Sequence, residues 1–223
     1  MGKDKIELAN TGEKIIFFIQ KYRKALLALV IIIVVGIASS VAFFTIRDGM
    51  AKKAIAKAEG FERRINEAGI LYGDPFSAEA TALLDELNAY APSTFGYAAA
   101  RSYALAADIY FARKEWKMAE ESWINASRKA PKIFLSSISL YNAAVAAEEQ
   151  GQKEAAIEHF NECLDYKGIF PAAPKAYFNI GRLHEELHNM DKAVEAYLAL
   201  IENNPDSPLA NLARNRLIIL DRN

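Results

Sequence analysis

The feature that most constrains this chain is an internal period of 37 residues: small residues stand at 107, 144 and 181, alanines at 119, 156 and 193, and aromatics at Trp123, Phe160 and Tyr197. The clearest copy runs from Pro174 to Pro205, where Tyr177, Ile180, Gly181 and His184 share one helical face and Ala193, Tyr197 and Leu200 mark the face of a second helix. Upstream the landmarks return as Leu140, Ala143 and Ala144 with Ala156, Phe160 and Cys163, and before that as Tyr103, Ala106 and Ala107 with Ala119, Trp123 and Ala126. Each copy predicts two antiparallel helices. The small residues predict close backbone approach, and the aromatics predict wedges into the next pair. One hairpin cannot bury such a face alone, so the copies must stack.

This pattern resembles tetratricopeptide repeats. The family's order of small residue, Ala, aromatic, Ala and Pro stands as Ala107, Ala119, Trp123, Ala126 and Pro131, and again as Gly181, Ala193, Tyr197, Leu200 and Pro205. The middle copy departs, with Cys163 for the last Ala and Gly168 where Pro would stand. The resemblance implies a usual period of 34 residues, so extra residues are expected in the connections around Lys132 to Ser136 and Gly168 to Ala172. The expected fold is all-α: an N-terminal transmembrane helix, then a tetratricopeptide-repeat α-solenoid of three repeats, a degenerate first hairpin and a C-terminal capping helix. Ser77 is the expected cap of the helix carrying Leu83, Leu84 and Leu87 up to Tyr90, and the first hairpin ends at Pro92. Ser207 and Pro208 open the last helix, whose Leu209, Leu212 and Leu217 are expected to cover the open end.

Ala25 to Ile46 is 22 residues without a charge, about 33 Å of helix, which is enough to cross a hydrocarbon core. A cleaved signal peptide is the competing reading, with Ser40 and Ala42 as a small-x-small site, but Phe43, Phe44 and Ile46 carry the apolar run past it. Ile15 to Ile19 forms a shorter apolar run that could lie along a membrane surface. Lys21, Arg23 and Lys24 crowd the first flank against Arg47 beside Asp48 on the second, which favours the N-terminus inside. In a wider window Lys52, Lys53, Lys57, Arg63 and Arg64 level the count. The domains expected are a basic cytoplasmic segment 1–24, a transmembrane helix 25–46, a helical stalk and turn 47–75, and a repeat domain 76–223. A net charge of −1 gives no bias towards nucleic acid, and one cysteine, Cys163, permits no internal disulfide.

The whole arrangement, with Phe17-Phe18 ahead of Lys24-Ala25-Leu26-Leu27, one span, a charged stalk and a repeat domain, resembles the ancillary SecYEG translocon subunit (YfgM-like) family. That resemblance implies a single-pass protein of the bacterial inner membrane with a periplasmic repeat domain, and the Sec translocon or a periplasmic chaperone as partner. The alternative is a cytosol-facing receptor on the same anchor inverted.

Chemistry is weighed at one motif above all. His184-Glu185-Glu186-Leu187-His188 satisfies H-E-x-x-H, which on a helix sets two imidazoles one turn apart with a glutamate as base for a zinc peptidase. Against it, the extended motif would need Gly and His where Asp191 and Val194 stand, and His184 occupies the repeat position of Tyr110. No catalytic residue, metal site or cofactor is therefore assigned. His159 reads as a surface histidine, Glu148-Glu149 and Glu185-Glu186 as solvated faces, and Asn125-Ala126-Ser127 as a chance glycosylation motif inside a helix.

By the family's register, the first helix of each pair lines a concave groove for a protein or peptide. The candidate groove residues are Arg101, Asp108 and Phe111, then Tyr141, Val145 and Glu148, then Lys175, Phe178 and Arg182. The family's carboxylate clamp is not matched, since its positions hold Ala104, Asp108, Tyr141, Val145, Phe178 and Arg182.

Overall fold

A computed structural model describes residues 3–166, 168 and 170–221. Met1 and Gly2 of the basic segment, Ile169 of the expected long connection and its neighbour Lys167, and Arg222 and Asn223 at the end of the repeat domain lie outside the described residues. Every regular element among the described residues is helical: α1 (Lys3–Glu67), α2 (Ala78–Ser93), α3 (Gly96–Ala112), α4 (Trp116–Lys129), α5 (Phe134–Glu149), α6 (Lys153–Leu164), α7 (Ala173–Glu186), α8 (Met190–Asn203) and α9 (Pro208–Leu220). The chain divides into two compact units, Met1–Lys53 and Ala54–Asn223.

In the first unit α1 is unbroken from Lys3, so Ile15 to Ile19 is not a separate surface helix, and these side chains are exposed. α1 is long and apolar enough to cross a membrane, and none of its apolar stretch is buried against protein. The hydroxyls within that stretch are satisfied by the helix itself: Ser40 donates to the Gly36 carbonyl and Thr45 to the Val41 carbonyl, both at 2.8 Å.

In the second unit, the segment expected as a stalk packs from Ala54 onward as the first helix of the degenerate hairpin. Ala58, Phe61 and Ile65 are buried, Phe61 lies 5.5 Å from the Tyr90 ring, and the Tyr90 hydroxyl donates to the Ala54 carbonyl. Arg64 makes two parallel bonds to Glu86, at 2.8 and 3.0 Å. From there α3 pairs with α4, α5 with α6 and α7 with α8, and each pair packs on the next. The landmark residues fill the interfaces: Ala107, Ala119 and Ala126 around Trp123, Ala144, Ala156 and Cys163 around Phe160, and Ala193 and Leu200 around Tyr197 are all buried. Fully burying a large side chain such as Phe160 stabilises by about 1.5–3 kcal/mol.

The turn inside each hairpin obeys the same period. Lys114 (φ 62°), Gly151 (φ 75°) and His188 (φ 59°) occupy equivalent positions and all adopt the left-handed conformation. In each case the next amide reaches back five residues, from Glu115 to the Tyr110 carbonyl, Gln152 to Ala147 and Asn189 to His184, at 2.9, 2.9 and 2.8 Å. This Schellman turn satisfies the last carbonyls of the first helix and reverses the chain. Gly69 (φ 61°) repeats it at the end of α1, with Ile70 donating to Ile65.

The expected caps are present: Ser77 accepts from the Ala80 amide at 3.1 Å and Ser207 from the Leu209 amide at 3.2 Å. Pro92 sits in the last turn of α2, which continues to Ser93. Other expectations are corrected. Leu209 and Leu217 of α9 pack against the last core, but Leu212 faces outward, because Ala210 and Ala213 take the buried stripe. The extra residues near Lys132 extend α5 rather than a loop, since α5 begins at Phe134 and the buried Ser136 hydroxyl donates to the Ser127 carbonyl. His159 is not a surface residue: its ring lies between α6 and α4, with Nε2 3.1 Å from Glu120, whose other oxygen accepts from Gln150 at 2.6 Å.

Candidate functional site

Asp108, Phe111 and Val145 come together with Leu71, Tyr72, Ala112, Trp123 and Asn142 around a pocket of about 400 Å³. The 37-residue period explains the meeting. Asp108 and Val145 are the same position of successive first helices, so stacking α3 beside α5 brings them to one face. Phe111 is one turn further along α3, its ring 4.8 Å from Trp116 and 5.4 Å from Trp123. The turn after α1 supplies the rim, where Tyr72 is 98% exposed.

The electrostatics centre on Asp108. Burial pushes its carboxyl up to about 6, the Arg101 charge and the polar edge of Trp123 pull it back, and Glu62 adds a smaller upward push. Arg101 is itself held by Glu62, at 2.5 and 3.1 Å. Among the described residues, no cation pairs with Asp108 within 4.0 Å.

The other candidate groove residues lie elsewhere. Tyr141 turns into the second core, 5.3 Å from Phe160 and 6.5 Å from Phe170, and its hydroxyl is raised by burial. Phe178 packs on Tyr197 at 5.5 Å. Glu148 and Arg182 bond to each other at 2.6 Å, and Arg182 also holds Glu186 at 2.7 Å. Lys175 is exposed. Glu148 and Glu186 are thus not simply solvated: they join neighbouring hairpins, with Lys153 completing the set at 2.9 Å from Glu186, whereas Glu149 is exposed as expected.

The H-E-x-x-H motif is taken apart by the fold. α7 ends at Glu186, so His188 is not one helical turn above His184 but the left-handed turn residue equivalent to Lys114 and Gly151. Glu185 accepts from the Tyr197 hydroxyl at 2.6 Å and from Arg216 Nε at 3.1 Å, with a second Arg216 bond to its other oxygen. Arg216 chiefly, against burial and helped by Tyr197, holds the Glu185 carboxyl below its ordinary range, leaving a bound anion rather than a free base.

Tyr72 lies in the expected turn before residue 76, Trp123 is expected as a packing wedge, and Asn142 carries no expectation from the sequence. The period could have found Asn142, which is next to Tyr141 on the same helix, but Leu71 and Tyr72 lie outside any repeat and carry no periodic signal.

Residues 138–208 match the tetratricopeptide repeat family. The chain is also 35% identical over 150 residues to a TPR repeat-containing protein of Treponema pallidum (strain Nichols), a match covering 66% of this chain and 62% of that protein. Residues 138–208, from within α5 to the start of α9, are therefore similar to tetratricopeptide repeats, and the described residues form an all-α array of hairpins with a long apolar N-terminal helix.

Proposed function

We propose that this chain is a non-enzymatic scaffold, anchored in a membrane through α1, that binds a protein partner along the groove formed by α3, α5 and α7. The observation that carries the reading is the pocket around Asp108, Phe111 and Val145: a concave, largely apolar site with one polar focus, formed by the helices that line the ligand side of such arrays. The exposed apolar length of α1 supports the anchor. The arginine and lysine crowding before Ala25 supports an N-terminus in the cytoplasm of a bacterial cell, with the repeat hairpins on the periplasmic side of the inner membrane. On that topology the partner is a component of the Sec translocon or a periplasmic chaperone, in line with the translocon-subunit resemblance. Against a zinc peptidase stand the structural commitments of Glu185 and His188. Site-specific photocrosslinking from Tyr72, at the rim of the pocket, tests the groove directly.

A further inference from the structure

The charges along the groove are unequally committed. Arg101 is held by Glu62, Arg182 by Glu148 and Glu186, while Asp108 lies at the pocket with no cation within 4.0 Å among the described residues. An apolar occupant would leave this carboxylate facing hydrocarbon, and an acidic one would meet a like charge; both are unfavourable. A cation on an apolar stem suits every part of the wall. Phe111, Val145 and Leu71 offer surface to methylenes, and the Phe111 and Trp123 rings add attraction for a flat cation.

We infer that the pocket receives an arginine side chain from an extended segment of the partner, its guanidinium on the Asp108 carboxylate and its stem along Phe111 and Val145. Arginine fits better than lysine because its planar fork can bond a carboxylate while stacking on an aromatic face. The inference rests on the groove reading and adds the chemistry of the residue recognised.

The charge-dependent part is also pH-dependent. Burial raises the Asp108 carboxyl to about 6, so it becomes neutral as pH falls through that value and the preference for a cation fades. The groups facing it are Arg101 on its own helix, Glu62 on α1, Trp123 on α4, Asn142 and Val145 on α5, and Tyr72 at the rim; no histidine lines the pocket.

The test uses the full chain in detergent micelles and two pools of fluorescein-labelled nonapeptides, random except for a central arginine in one and its uncharged isostere citrulline in the other. By fluorescence anisotropy at about pH 7.5, the arginine pool is expected to bind about tenfold more tightly, the scale of one charge-assisted bond. Lowering the pH to about 5 should bring the two pools together, and Asp108→Asn should do so at either pH. Equal binding of the two pools by the unaltered chain overturns the inference while leaving the groove reading to stand on crosslinking from Tyr72. Failure of both pools to bind also overturns it, as does a preference that survives Asp108→Asn. The comparison of pools on the unaltered chain does not depend on the variant's folding.

Discussion

The ring of Tyr197 lies against Gly181 so closely that a Cβ there would stand 2.5 Å from Cε1 and 2.8 Å from Cδ1. The hydroxyl of the same ring donates to Glu185, which Arg216 of α9 also holds. One aromatic thus ties α7 to α8 by shape and, through Glu185, to α9 by charge.

Gly181→Ala should therefore destabilise the second unit, although alanine is the better helix former by about 1 kcal/mol. Overpacking of this kind costs about 1–3 kcal/mol, so a net loss is expected in urea unfolding followed by circular dichroism. A gain would mean that the ring moves aside freely.

His188 should be improvable. Its left-handed backbone is unfavourable for a residue with a Cβ by about 1–2 kcal/mol, and Gly151 shows what the equivalent turn accepts. His188→Gly is expected to raise stability by up to about 1 kcal/mol after the extra entropy of glycine in the unfolded chain. The purified chain should contain no stoichiometric zinc, and a chelator should leave its melting temperature unchanged; zinc by elemental analysis would contradict this assignment.

Asp108 links the site to stability. With the unfolded carboxyl near 3.8 and the folded one near 6, the folded chain takes up a proton between these values, so stability falls as pH rises through that window. Asp108→Asn removes the penalty. It should stabilise the chain by about 1–3 kcal/mol above about pH 6 and have little effect below about pH 4. Thermal unfolding across this range distinguishes the two regimes.

The stacked hairpins were legible because their signals are local and repeated: Ala119, Ala156 and Ala193 recur at one spacing, and each is buried. The caps at Ser77 and Ser207 were legible for the same reason. The candidate groove residues were only partly so. The period tells which helix face a residue occupies, but not whether a neighbour claims it, and so it gave no warning that Glu148 and Arg182 pair or that Tyr141 and Phe178 turn into the cores. The H-E-x-x-H motif was set aside for want of a third ligand; the structure adds that its four-residue spacing has meaning only on a continuous helix, and α7 stops at Glu186. His159 was misread because its partner, Glu120, lies a full repeat away. Glu120 itself is consequently a poor neutral site for mutation, being held by His159 and Gln150.

Topology can be read with one thiol. Cys163 is buried and burial pushes it up to about 12, so it should be inert to maleimides in the folded chain. A cysteine introduced at exposed Ser93 in a Cys163→Ala background should be labelled from outside in intact spheroplasts by a reagent that cannot cross the membrane. Labelling only after lysis would place the hairpins in the cytoplasm.

The most direct measurement of the groove is photocrosslinking in native membranes from Tyr72→p-benzoylphenylalanine, a position so exposed that the change leaves the fold intact, with Leu198 of α8 as an exposed site outside the pocket. A groove that holds the partner gives a discrete adduct from position 72 and none from 198, and Asp108→Asn weakens that adduct without removing the hairpins' circular dichroism. An adduct from 198 with nothing from 72 would contradict the account and move the docking surface to the second helices.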